Sequence, residues 1–169
     1  MQESIPDLAR ILKLLADHDC RYVMIGGMAA VMHGSAVITY DCDLAIYYDA
    51  ENRAHLASAL APLNPRPLRW KGQTPFEFDE KCIVGPWTLL ETDAGRVDLI
   101  IRLSGVDSFE GLYQRSICDD FQGVPIRYAS LDDLIAMKEQ ADRSKDHSNV
   151  AYLKGIKHAA ESMDADQST

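Results

Sequence analysis

Three aspartates in this 169-residue chain occupy positions where carboxylates can do chemistry. Asp41 and Asp43 stand two apart at the start of a run, Cys42 to Tyr48 with Asp41 just before it, whose alternation is that of a strand, so both point to one side of it. Asp98 lies on a later run, Arg96 to Leu103, in which Arg96, Asp98, Ile100 and Arg102 share one face and Val97, Leu99, Ile101 and Leu103 the other. Three converging acids with no cation among them repel one another unless a divalent ion lies between them. An all-oxygen ligand set suits Mg²⁺ or Mn²⁺, which keep some waters and take substrate phosphates as further ligands. The Asp-x-Asp spacing alone carries no information, because it recurs at Asp17/Asp19 and Asp164/Asp166, where solvated charge explains it. Asp41 and Asp43 differ in following a stretch, Tyr22 to Tyr40, that holds no Asp, Glu, Lys or Arg. Paired acids beside apolar chain are costly.

Gly26-Gly27 is the second feature. A glycine turn leading into a helix lets backbone N–H groups approach phosphate oxygens, although the same pair also describes a turn that simply needs positive φ. The interval Met28 to Tyr40 holds one helix that returns the chain to a neighbouring strand, which places the glycines and Asp41 at one site. Lys138 is the first candidate cation for a triphosphate, with Arg143 and Lys145 behind it. Lys138/Asp142 and Glu139/Arg143 also have the i, i+4 spacing of ordinary surface pairs. His33 has no partner readable from the sequence. Trp70 and Trp87 suit either base stacking or packing, and Arg66, Arg69 and Lys71 around Trp70 form the nearest thing to a basic patch.

The elements that must position these residues follow from periodicity and caps. Ser4, with Asp7 three residues on, opens a helix through Leu8, Ile11, Leu12 and Leu15 that ends near His18. Arg21 to Ile25 reads as a buried strand and Met28 to His33 as a short helix closed by Gly34. Glu51 to Leu60 is helical and stopped by Pro62. The proline-rich segment that follows is irregular, with one short strand near Phe76 to Phe78. Trp87 to Glu91 and Arg96 to Leu103 flank a hairpin turn, Phe109 to Arg115 is a short helix, and Val124 to Tyr128 is a strand. Ser130 and Asp133 cap a helix running to about Arg143, and a last helix covers roughly Asn149 to Glu161. The reading is one domain over residues 1–162 with a frayed polar tail at 163–169.

Seventeen Lys and Arg against 26 Asp and Glu leave a formal charge of −9, which disfavours a broad nucleic-acid surface. A chain of this length buries about 70% of its unfolded surface and needs no disulfide scaffold. Cys20, Cys42, Cys82 and Cys118 show no metal-ligand spacing and read as free thiols. The N-terminal segment has no secretory pattern and the uncharged stretch is broken by glycines, so a cytoplasmic protein without a membrane span is expected.

With these residues in view, the sequence resembles the nucleotidyltransferase superfamily of DNA polymerase β-like fold. Ile25-Gly26-Gly27, Asp41-Cys42-Asp43-Leu44 and Val97-Asp98-Leu99 match its signature. A narrower likeness is to small bacterial proteins related to AbiEii-type toxins. Gly26-Gly27-Met28-Ala29-Ala30, His33-Gly34, Thr39-Tyr40-Asp41-Cys42-Asp43, Asp132-Asp133-Leu134-Ile135-Ala136-Met137-Lys138 and Arg143-Ser144-Lys145-Asp146 carry it. This chain has Val37 and Asn149 where such proteins often carry an arginine and an aspartate. The resemblance implies an α+β fold with a mixed sheet flanked by helices, and a two-metal transfer of a nucleoside monophosphate from an NTP with pyrophosphate release. Asp41, Asp43 and Asp98 would be the catalytic and metal-binding residues, and Gly26, Gly27, Lys138 and Arg143 would hold the nucleotide. It implies an acceptor hydroxyl on RNA such as tRNA or on protein, within a toxin–antitoxin type system. The alternatives are a small-molecule, antibiotic-type acceptor and a non-catalytic binding module.

Overall fold

The computed structural model describes residues 5–72, 76–141 and 146–167, the last stretch without the side chains of 146–149 and 163–167. Its first helix, α1 (Leu8–Asp17), begins later than the capping-box reading placed it. Asp7 itself is the N-cap and accepts a hydrogen bond from the Arg10 amide at 3.2 Å, while Ser4 lies outside the described residues. Leu8, Ile11, Leu12 and Leu15 form the predicted buried stripe. Each contributes about 1.5–3 kcal/mol by leaving water, and the stripe packs over α3 (Ala50–Leu60) and β7 (Val124–Tyr128).

The sheet is mixed and follows the order β3-β4-β5-β2-β1-β7-β6. The interior strand β1 (Tyr22–Met24), buried throughout, runs antiparallel to the central β2 (Asp41–Ile46) and parallel to β7. Beyond β2 come the parallel β5 (Gly95–Ile100), the antiparallel β4 (Trp87–Thr92) and the two-residue edge strand β3 (Arg66–Pro67). The far edge is β6 (Ile117–Phe121), paired with β7. Sequence reading missed β6. Its residues Ile117 to Asp120 are all exposed, so the strand has no buried face to create an alternation and exists through its pairing with β7. The strand expected at Phe76 to Phe78 is absent; the proline-rich segment pairs instead through Arg66 and Pro67, then forms a 3₁₀ turn at Glu80–Cys82. The hairpin lies where predicted, with Asp93 and Ala94 between β4 and β5, although β5 stops at Ile100.

The helices flank this sheet, as an α+β fold requires. The stretch from Tyr22 to Tyr40 divides into β1, α2 (Gly26–Met32) and an extended connection, and no helix among the described residues is long and apolar enough to cross a membrane. α4 (Phe109–Arg115) precedes β6. α5 (Leu131–Ala141) begins at Ser130, whose hydroxyl accepts from the Asp133 amide at 3.2 Å and donates to the Asp133 carboxylate at 2.8 Å. α6 (Asp146–Gln167) packs on α5 and continues through 163–167, where polar composition predicted a frayed tail. No Gly or Pro follows Gly155 to stop it. The four cysteines are unpaired, as expected; Cys42 is fully buried on the core face of β2.

Candidate active site

Strand pairing assembles the acids. β2 and β5 run parallel with Asp43 opposite Asp98 and Asp41 opposite Arg96, so the face shared by Asp41 and Asp43 continues onto Asp98. One carboxylate oxygen from each of the three lies within 4.8 Å of the others. A hard-oxygen set this tight fits a divalent cation such as Mg²⁺ or Mn²⁺. Burial first, then the neighbouring Asp41 and Asp98, push the Asp43 carboxyl up to about 7, opposed by Arg96 and Lys138. The cluster therefore holds a charge deficit that a cation would fill.

Glycine is required at two positions beside this cluster. Gly26 sits at φ +65°, and a side chain there would run into the Asp43 carboxylate. A Cβ on Gly27 would stand 2.5 Å from Thr39 Oγ1. The β1–α2 junction thus passes directly over the acids, and the Ile25 amide donates to the Asp43 carbonyl at 2.9 Å. Thr39 in turn donates its hydroxyl to Asp41 Oδ1 at 2.8 Å and fixes that carboxylate. Sequence reading gave Thr39 no role; the signal available was its position two residues before Asp41 on the same extended segment.

Asp98 shows the main departure from expectation. The alternation placed it on a polar face, and it does point away from the core side chains Val97 and Leu99, yet it is only 3% exposed. The acids also do not meet without a cation. Arg96, from the same face of β5, donates Nε to Asp98 Oδ1 at 2.9 Å and Nη2 to Oδ2 at 2.6 Å. Burial raises the Asp98 carboxyl above its usual range, and the arginine's hydrogen bonds oppose that rise. The i, i+2 spacing that put both residues on one face was the available signal.

Two clefts meet at Gly26, Asp43 and Lys138. One, of about 280 Å³, is lined by Gly26, Gly27, Thr39, Asp41, Asp43 and Lys138, with Tyr152 of α6 at its rim. The other, of about 290 Å³, is more apolar and reaches Gly26, Asp43 and Lys138 from the side of Ile100, Arg102 and Met137. Lys138, on α5, stands on the wall common to both. Arg143, the other expected nucleotide contact, and Lys145 lie outside the described residues. His33 is a structural residue: its Nε2 bonds the Ala129 carbonyl at 2.8 Å and its ring meets Tyr128 edge-on. Arg66 pairs with Asp93 at 3.3 Å and lines a larger cavity, about 540 Å³, that contains none of the acids. Trp70 packs against Phe76 and Trp87 is exposed.

No protein-family profile and no curated protein sequence matches the chain. Solved structures do. The crystal structure of ANT(2'')-Ia in complex with adenylyl-2''-tobramycin superposes with a TM-score of 0.56 at 18% identity, over 94% of this chain and 91% of that one. The solution structure of the antibiotic-resistance factor ANT(2'')-Ia gives 0.51 at 17% identity, over 95% and 92%. With the mixed sheet and its flanking helices, this near end-to-end likeness establishes a nucleotidyltransferase-like α+β fold.

Proposed function

We infer that this chain is a metal-dependent nucleotidyltransferase that moves a nucleoside monophosphate from an NTP to a hydroxyl of a small, cationic, antibiotic-type acceptor. The observation that carries the reading is the meeting of two clefts at Asp43, one of three clustered carboxylates, since group transfer needs two substrates to reach one charged centre. Divalent ions held by Asp41, Asp43 and Asp98 would screen the triphosphate and lower the pKa of the acceptor hydroxyl. The chain's own residues supply the rest. Gly26 and Gly27 let the β1–α2 junction lie against Asp43 and Thr39 so that its backbone lines the cleft that would take phosphate oxygens, and Lys138 meets phosphate charge from the common wall. Thr39 keeps Asp41 in position. Asp98 accepts the acceptor's proton as the acceptor oxygen bonds to the α-phosphorus and the bond to pyrophosphate breaks.

The acceptor class rests on two supports. A chain of formal charge −9 attracts a polycation and repels a polyanion, and the crystallised ANT(2'')-Ia carries an adenylyl group joined to tobramycin. The RNA or protein acceptor of a toxin–antitoxin system, expected first from the sequence, gains nothing from either neighbour. The test is label transfer from each α-labelled NTP with Mg²⁺ to tobramycin-type antibiotics, total RNA or lysate protein, beside an Asp41→Ala/Asp43→Ala double variant. Label on the antibiotic, lost in the double variant, is the expected result. Label on RNA or protein would restore the macromolecular acceptor, and no transfer together with no heat of Mg²⁺·NTP binding would remove the enzyme reading.

A further inference from the structure

The guanidinium of Arg96 lies where a metal-binding cluster has least room for it. Its fork takes both oxygens of Asp98, and one oxygen of Asp98 is also a member of the three-atom set shared with Asp41 and Asp43. Across the parallel register Arg96 faces Asp41. The two partners are unequally held: the Asp98 side chain is 5% exposed and fixed in the sheet, whereas that of Arg96 is 37% exposed and has a path to solvent. A carboxylate whose two oxygens both accept from one arginine has given up the lone pairs best placed for a bidentate partner. An ion that binds Asp98 therefore meets a competitor already in place, of the right charge and built into the chain.

We propose that Arg96 is a stand-in cation for the carboxylate cluster: it occupies Asp98 when no divalent ion is bound and leaves it when one binds. The arginine keeps the buried Asp98 paired in the metal-free protein, where an unpaired charge would be costly. It also lowers the apparent affinity for the ion that engages Asp98, so that Asp98 becomes fully available only when that ion is present. This rests on the cluster being a metal site, as inferred above.

Mn²⁺ titration by calorimetry, with electron paramagnetic resonance reporting bound ion, tests the proposal without any turnover. Arg96→Met keeps the aliphatic stem and removes the fork. It should bind Mn²⁺ about tenfold more tightly than the parent, melt lower in chelator, and recover more of its melting temperature on adding Mn²⁺. Loss of any positive charge near three acids would also tighten cation binding, so the decisive comparison is in an Asp98→Asn background. There Arg96→Met should tighten Mn²⁺ binding by clearly less, leaving only the part owed to charge near Asp41 and Asp43. Equal tightening in that background, or unchanged or weaker binding by Arg96→Met alone, would overturn the stand-in role. If Arg96→Met does not fold without metal, Arg96→Lys, which keeps a cation but not the fork, should show the same tightening to a smaller degree, and no tightening there overturns the proposal. A parent that binds Mn²⁺ with no difference among variants defeats this inference alone. Absence of Mn²⁺ binding in every variant defeats the metal-site reading as well.

Discussion

Two buried aspartates in this fold are each gripped by an arginine, and they live under opposite conditions. Asp133, at the start of α5, is 6% exposed and takes hydrogen bonds from Arg115 Nε and Nη2 at 3.1 and 2.9 Å, and from the Ser130 hydroxyl at 2.8 Å. The other acid that its arginine meets among the described residues, Asp107, is exposed at the surface. Asp98 is as deeply buried, but its single arginine is set against two further carboxylates within reach of the same ion. Burial of an acid therefore does not mark a working site. What separates the two is company: Asp133 completes a helix start, and Asp98 completes a charge deficit.

The largest effect that sharpens this contrast is expected at Asp43. Asp43→Asn should lower nucleotidyl transfer by at least about 10³-fold, measured as pyrophosphate release, and yet raise the melting temperature of the metal-free protein, because it removes a buried acid that its neighbours repel. Asp133→Ala should behave in the reverse way. It should lose about 2 kcal/mol of stability in urea unfolding, with little change in turnover at temperatures where the variant stays folded; a drop in turnover larger than the loss of folded protein would break the contrast.

Gly26→Ala comes next, at about 1–2 kcal/mol of backbone strain at its positive φ. The added methyl against Asp43 should weaken Mn²⁺ binding at the same time, and calorimetry separates the two effects. The last expected effect is a slope with pH. The folded chain holds the Asp43 proton to about 7 while an unfolded aspartate releases it near 3.8. Stability from this group is thus full at acid pH and falls as pH rises through that window. In chelator, the melting-temperature gap between Asp43→Asn and the parent should widen from pH 4 to pH 7 and stay constant above it.

How much of this was legible beforehand depended on whether one segment of chain contained the answer. The placement of Gly26-Gly27 beside Asp41 and Asp43 was readable because strand alternation and the length of the connecting stretch lie along one continuous segment. The helix starting at Ser130 was readable through its capping pair. The grip of Arg96 on Asp98 was not, although both residues had been placed on one face, because what makes it matter is the parallel pairing of β5 with β2, which no local pattern encodes. β6 was illegible for the opposite reason, since an exposed edge strand needs no apolar period. Thr39 stayed hidden because a hydroxyl in an uncharged stretch shows its purpose only once Asp41 is beside it.

The bond from His33 Nε2 to the Ala129 carbonyl has a mechanical meaning. It leaves the far end of α2, the helix that starts at Gly26, and lands one residue before the serine that starts α5, the helix that carries Lys138. With Tyr128 wedged against the imidazole, the helices on either side of the cleft are riveted at one end. Any breathing of that cleft is left to the exposed connection through Val37 and Ile38 and to the α6 rim at Tyr152, whose hydroxyl already holds the Ala36 amide. The wall joined by the imidazole and the exposed wall are thus different parts of the chain.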